Sequence, residues 1–261
     1  MSKLAALSLA AFVALAAGCA TTGPVSTRPP VTEDAVREAR SHHGQGAAFL
    51  KEGKLALAIR ELRAAAGLNP NDPWIRLALG EAYRLRGMMT EAEHEIREAI
   101  LLDPKFQQAQ LTLSGVYIQQ ERYEEAIALA QTLVDDPTYA EVWMPLTNKG
   151  YCQIQLGQLS EARKSLELAA EFKQDYWRAH LNLGILEALE GRREDALASF
   201  ARVVEYGSGT TGEAEANYRA AEIYVALGDQ GRAIHHLVAA TERNPDGQWG
   251  RASAEYLKRL Q

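Results

Sequence analysis

A small residue returns every 34 positions through most of this 261-residue chain, and the residues around it return with it. The pattern is clearest from Pro73 to Pro104. Apolar residues three and four apart run from Trp74 through Gly80 to Tyr83, break at Arg86-Gly87, and resume from Ala92 through Ile96 to Ile100. That periodicity predicts two helices of about a dozen residues with a glycine between them. Thr90 followed by Glu93 reads as a capping-box start for the second helix, and Pro104 as its stop. With the small residue as a ruler, Gly46, Gly80, Ser114, Gly150, Gly184 and Ala221 mark six such units, spaced 34, 34, 36, 34 and 37. Two connections are therefore lengthened, around 135–142 and around 207–212. The small residues are expected where two helix backbones approach closely, because a larger side chain there would overpack by about 1–3 kcal/mol.

Leu79-Gly80, Tyr83, Ala92, Ile96, Ala99 and Pro104 fall where the 34-residue tetratricopeptide repeat has its signature positions, and the chain resembles that family. The resemblance implies an all-α fold, a right-handed α-solenoid of six tetratricopeptide repeats over residues 35–247. Six units exceed the three or so that a stable array needs. An open array also needs a cover for its last unit. The amphipathic segment from Trp249 to Leu260, within 248–261, is expected to be that capping helix.

Residues 1–18 have the composition of a targeting segment. Lys3 is followed by an uncharged, mostly apolar run of 14 residues, Leu4 to Ala17. A membrane-spanning helix needs about 20. The run ends in Leu15-Ala16-Ala17-Gly18-Cys19, which resembles a bacterial lipoprotein box; the alternative is a plain secretory signal with an incidental cysteine. The resemblance implies that Cys19 is lipidated and becomes the N-terminus. Three acyl chains on one cysteine would meet the requirement of at least two for stable anchoring. Ala20, rather than aspartate, follows the cysteine, which favours the outer membrane and a periplasmic repeat domain. The Thr-, Ser-, Gly- and Pro-rich stretch that follows cannot bury an apolar face, so 19–34 reads as a lipidated tether.

Charge and chemistry narrow the function. The chain carries a formal charge of −6, and removing residues 1–18 takes away one basic residue, Lys3, to leave −7. That gives no basic face for nucleic acid. Gly207-Ser-Gly-Thr-Thr-Gly212 has the Gly-x-Gly-x-x-Gly spelling that cradles pyrophosphate. It follows a helix rather than a strand, so an inter-repeat turn is expected in place of a nucleotide site. His42-His43 and His235-His236 are adjacent pairs that point to different helix faces and do not make a metal site from one turn; exposed surface histidines are expected. Cys152 falls on the first helix of the fourth repeat as a packed thiol. No catalytic constellation, cofactor, metal or small-molecule substrate is expected, and the chain reads as a non-enzyme.

The remaining candidate is a surface. In tetratricopeptide arrays the first helix of each repeat lines the concave side, and the resemblance carries this onto Trp74, Leu77, Leu111, Ile118, Met144, Tyr151, Ile154, Leu181 and Ile185, with Ala188, Glu81 and Arg84 beside them. These apolar residues either pack against the neighbouring helix or form a trough for a partner segment. The positions that clamp a C-terminal carboxylate in cytosolic chaperone adaptors hold His43 and Ala47, which argues against that subclass. A lipoprotein signal, a polar tether, six repeats and the connection Asp136-Pro-Thr-Tyr139 followed by Asn148 and Gly150 resemble the pilotins of type IV pilus secretins (PilF/PilW/Tgl type). That resemblance implies a lipid-anchored scaffold that binds secretin subunits and promotes their assembly in the outer membrane. The alternative is a tetratricopeptide lipoprotein that scaffolds peptidoglycan enzymes or another envelope assembly or export complex.

Overall fold

The computed structural model describes residues 31–260. The expected signal segment, Cys19 and most of the tether lie outside these residues. Six helix pairs follow one another: α1 (Glu33–Lys51) and α2 (Leu55–Leu68), α3 (Pro73–Leu85) and α4 (Met89–Leu102), α5 (Gln107–Gln119) and α6 (Tyr123–Val134), α7 (Trp143–Gln155) and α8 (Leu159–Phe172), α9 (Trp177–Leu189) and α10 (Arg193–Tyr206), α11 (Thr211–Ala226) and α12 (Gln230–Arg243). A last helix, α13 (Gln248–Leu260), packs on the sixth pair. The described residues contain no strand.

The turn inside each pair is closed by a backbone bond, and only in the sixth does a side chain add a cap, Asp229 accepting from the Arg232 N–H at 2.9 Å. In the second unit Gly87 takes a left-handed φ of 82°, and the Met88 N–H reaches back to the Tyr83 carbonyl at 2.9 Å. This satisfies two ends at once and fixes where the next helix starts. Helix α4 consequently begins at Met89 with Met88 at its cap and no side-chain cap bond. The expected capping box is corrected: Thr90 lies inside the first turn. The same reach-back recurs in the other five units, from Lys54, Arg122, Gln158, Arg192 and Asp229. In the third unit the left-handed position is held by Glu121, φ 60°, where the others have glycine.

Two other boundaries move. Helix α1 starts at Glu33, inside the stretch read as tether, because the Thr32 side chain accepts from the Ala35 N–H at 3.2 Å and ends the extended segment there. Helix α11 starts at Thr211, so the second lengthened connection is only 207–210.

Packing follows the ruler. Ala58, Ala92, Ala126, Ala162, Ala196 and Ala233, one per unit, are all 0% exposed. A Cβ on Gly46, Gly80, Gly150 or Gly184 would fall 2.6, 2.5, 2.5 and 2.5 Å from Leu62, Ile96, Leu166 and Phe200 respectively. Each glycine is thus the hollow that one large side chain of the paired helix fills. At the C-terminal end, a Cβ on Gly250 would meet the Asn244 carbonyl oxygen at 1.9 Å, so α13 seats against the end of α12 only with glycine there.

Successive odd-numbered helices touch one another along the whole array, whereas no two even-numbered helices do. The odd helices therefore form the inner, crowded layer of a curved solenoid and the even helices its outer layer. Units touch their sequence neighbours alone, as in other quasi-one-dimensional arrays.

Candidate functional site: a groove on the inner helices

The inner layer opens into a cavity of about 500 Å³ that spans α5, α7, α9, α11 and α13. Five of the nine expected groove residues meet there: Ile118 from α5, Tyr151 and Ile154 from α7, and Leu181 and Ile185 from α9. The odd helices place them side by side because residues 34 or so apart occupy the same face of successive units. Ile118, Tyr151 and Ile185 are half-buried. Ile154 and Leu181 are 7% and 8% exposed, so most of each side chain packs against neighbours and only an edge reaches the cavity. For those two residues, packing and lining are the same role.

The other four lie elsewhere. Leu111 and Met144 are half-buried and do not line this cavity. Trp74 is 59% exposed, with its ring 4.4 Å from Phe106, on the inner surface of the earlier units. Leu77 is a correction: it is 4% exposed within the core of the first three units and is not available to a partner. The fifth position of that helix turns into the core because α3 lies between α1 and α5, both of which it touches.

Several cavity residues were not anticipated. Trp177 forms a wall, with the Arg178 guanidinium stacked 4.4 Å from its ring. Trp249 of α13 closes the far side, with Arg219 over it at 5.2 Å. Arg219 also holds Glu215 at 2.8 Å. Asn148 and Asn182 add amides, Asn148 donating to the Ser114 hydroxyl at 3.3 Å. Asn182, 9% exposed, lines the same cavity. An apolar floor with a few polar groups and two tryptophan walls is the usual make-up of a binding cleft.

The glycine-rich turn belongs to this wall. A Cβ on Gly212 would meet the Trp177 ring at 2.1 Å, and one on Gly207 would sit 3.0 Å from it. These glycines make room for the tryptophan. The Gly209 N–H, which a phosphate would need, donates instead to the Glu213 carboxylate at 2.7 Å. Glu213 is 3% exposed and pairs with Arg243 at 3.0 Å, so an anion is already built into the turn.

The remaining chemical candidates are engaged in structure. Cys152 is 0% exposed, and burial pushes its thiol up to about 12, so it is protonated at neutral pH. The expectation of exposed surface histidines holds for His235 and is corrected for His42, His43 and His236, which are half-buried. Half-buried His42 bonds to the Glu61 carboxylate at 2.7 Å. Half-buried His236 bonds to Asn217 at 2.8 Å and stacks on Tyr224 at 5.3 Å. Burial, then the neighbouring His235 and Arg232, hold the His236 imidazole below its usual range. Among the described residues no group of three or more His, Cys, Asp or Glu is placed to hold a metal ion, and no helix is long and apolar enough to cross a membrane.

Comparison with known proteins places this geometry. Tetratricopeptide repeat profiles match residues 49–110, 84–144 and 117–183, and a second such profile matches 214–246. The chain is 27% identical over 151 residues to the type IV pilus assembly protein PilF of Pseudomonas aeruginosa, a match covering 58% of this chain and 59% of that protein. It is 25% identical over 162 residues to human protein O-mannosyl-transferase TMTC1, covering 61% of this chain but 18% of that one. The matched segments thus span less than two thirds of both relatives. Among solved structures, Pseudomonas aeruginosa PilF superposes with a TM-score of 0.66 at 17% identity, covering 86% of this chain and all of that one. PilW, described as a widely conserved type IV pilus biogenesis factor, gives 0.70 at 18% identity, covering 82% and 97%. At these identities the superpositions show a shared fold.

Proposed function

This chain belongs to the tetratricopeptide repeat family, and we propose that it is a non-enzymatic, lipid-anchored scaffold whose inner groove holds outer-membrane secretin subunits and promotes their assembly for type IV pilus biogenesis. The observation that carries the partner-binding part is the cavity itself. Three successive units and the capping helix aim apolar and aromatic side chains into one space, where a segment of another protein finds an uncovered apolar surface. The pilus part is supported by the similarity to PilF, whose name is that of a type IV pilus assembly protein, and by the solenoid shared with PilW. A membrane-held scaffold concentrates its clients at the surface where a ring must form, and that is the role of the anchor at Cys19.

Detergent-resistant secretin multimers, counted in a strain lacking this chain, test the proposal. A fall in multimers with secretin monomer still present is the expected result. Unchanged multimers together with a cell-wall defect would overturn it in favour of a peptidoglycan-enzyme scaffold. The anchor has its own test. Cys19→Ala is expected to leave a folded repeat domain in the periplasm, because acyl burial contributes about 0.8 kcal/mol per CH₂ and the lost chains are the anchor. Recovery of the variant wholly with outer membranes would exclude lipidation as the attachment.

A further inference from the structure

In three units a side chain on the inner helix is bonded back to the carbonyl six residues before it. In the second unit Arg76 donates to the Pro70 carbonyl at 3.3 Å, and in the third Gln110 donates to the Pro104 carbonyl at 2.9 Å. In the fifth the same position is His180, whose Nε2–H donates to the Gln174 carbonyl at 2.7 Å. Each bond straps the connection between two units onto the helix that it enters. Arginine and glutamine remain donors at every physiological pH. Histidine differs, because its second ring nitrogen can take up a proton. Gln174 lies three residues before Trp177, so the fifth-unit strap sets the start of α9 and with it a wall of the groove.

The surroundings of His180 suit the neutral ring. It is 3% exposed, and with Nε2–H given to Gln174 its Nδ1 is buried without a hydrogen-bond partner. A bare lone pair there costs little beside a buried, charged N–H that has no acceptor. The ring lines a cleft of about 520 Å³ between α8 and α10, two outer helices that do not touch. Glu167 and Glu171 reach that cleft from α8, and Arg202 and Tyr206 from α10, the Tyr206 ring centroid 5.7 Å from that of the imidazole. The other helices packed on α9, α7 and α11, present no side chain to it. Glu167 is engaged by Arg163 at 3.3 Å and Glu171 is exposed, and neither accepts from Nδ1. Burial holds the imidazole below its usual range; the Gln174 bond opposes this, and Arg202 adds to it.

We infer that His180 is an acid-released strap: a proton taken up at Nδ1 drives the ring from its buried seat, frees the connection 173–176 and loosens Trp177 on the groove wall. The unfolded chain binds this proton in the ordinary histidine range, whereas the folded chain resists it. The strap therefore contributes fully above that range, and its contribution is lost as the pH falls below it. The inference stands on the fold and holds whichever partner occupies the groove.

Amide exchange and ring signals of the full chain in detergent, at about pH 7.5 and about pH 5, test it. The Tyr176 N–H, bonded to the Lys173 carbonyl at 3.1 Å, is compared with its third-unit equivalent, the Phe106 N–H, bonded to the Asp103 carbonyl at 3.0 Å. Dividing one rate by the other removes the direct effect of pH on exchange. The ratio is expected to rise several-fold on acidification, together with a shift of the Trp177 indole signal. His180→Gln copies Gln110 and keeps the donor, so the ratio and the indole signal are expected to stay constant. His180→Ala loses the donor and is expected to show the acid behaviour at both pH values. A constant ratio in the wild-type chain would overturn the strap. So would a rise that His180→Gln shares, which would place the response at His236 of the next unit, whose imidazole burial also holds low. An imidazole that titrates in the ordinary range while Tyr176 stays protected would overturn it as well, since Nδ1–H would then have found an acceptor in place.

Discussion

Replacing Phe200 with alanine is expected to lower the unfolding free energy by about 3–5 kcal/mol, the range for removing a fully buried aromatic ring. Phe200 is 1% exposed; it packs with Leu181, Val203, Ala216, Ala220 and Ile223, and its ring fills the hollow over Gly184. Because units of a solenoid support only their neighbours, the loss should be local. Amide exchange is expected to speed up in α9 to α12 while α1 to α4 stay protected. The pairing gives a sharper test. The small residue and its filler stand 16 positions apart in every unit: Gly46 with Leu62, Gly80 with Ile96, Ser114 with Ala130, Gly150 with Leu166, Gly184 with Phe200, Ala221 with Leu237. Gly184→Ala alone would drive a Cβ to within 2.5 Å of the Phe200 ring and is expected to lose about 1–3 kcal/mol. Adding Phe200→Leu copies the pair of the sixth unit, Ala221 with Leu237. The double variant should then recover most of that loss, since alanine also favours helix over glycine by about 1 kcal/mol. Additive losses in the chemical-denaturation cycle would show that the two positions do not couple.

Those pairs explain how much of the fold could be read in advance. A close helix crossing admits only a small residue on one side, and that demand repeats with every unit, so the period, the six units and the cap were legible. Thr90 was misread because its capping box is a local signal, whereas Gly87 and the Met88-to-Tyr83 bond set the helix start before Thr90 is reached. The tether was read two residues too far, to 34, because one short side chain, Thr32, accepting from the Ala35 N–H, starts the helix at Glu33.

The groove was legible by position and not by depth. Ile118, Tyr151, Ile154, Leu181 and Ile185 do share one cavity, because equivalent positions of successive units fall on one face. Leu77 occupies the same kind of position and is buried, since exposure depends on the neighbouring helices and not on its own. Trp177 and Trp249 were not expected in the groove because their roles there depend on what stands opposite: the Gly207–Gly212 turn for one and Arg219 for the other. A tryptophan followed by a glycine-rich connection one hairpin later was the available signal for the first.

Glutamate at Ile118 or Ile185 is expected to separate binding from stability. Both side chains are half-buried with a face on the cavity, so a carboxylate there can turn toward water. The stability loss should stay near 1 kcal/mol, as for most substitutions outside the core. A partner segment seated on either residue would meet an unpaired charge at the centre of its apolar contact, and such anchors typically contribute 2 kcal/mol or more. Secretin multimers in cells should therefore fall at least tenfold while the melting transition survives. Ile154→Glu and Leu181→Glu are the controls. At 7% and 8% exposure their carboxylates would be held among apolar neighbours, and melting itself should collapse by several kcal/mol. If Ile118→Glu and Ile185→Glu also collapse, these residues are core, and the trough is only the gap between packed helices. If all four variants melt as expected and multimers persist at the normal level with Ile118→Glu and Ile185→Glu, the secretin contact lies on the outer helices instead.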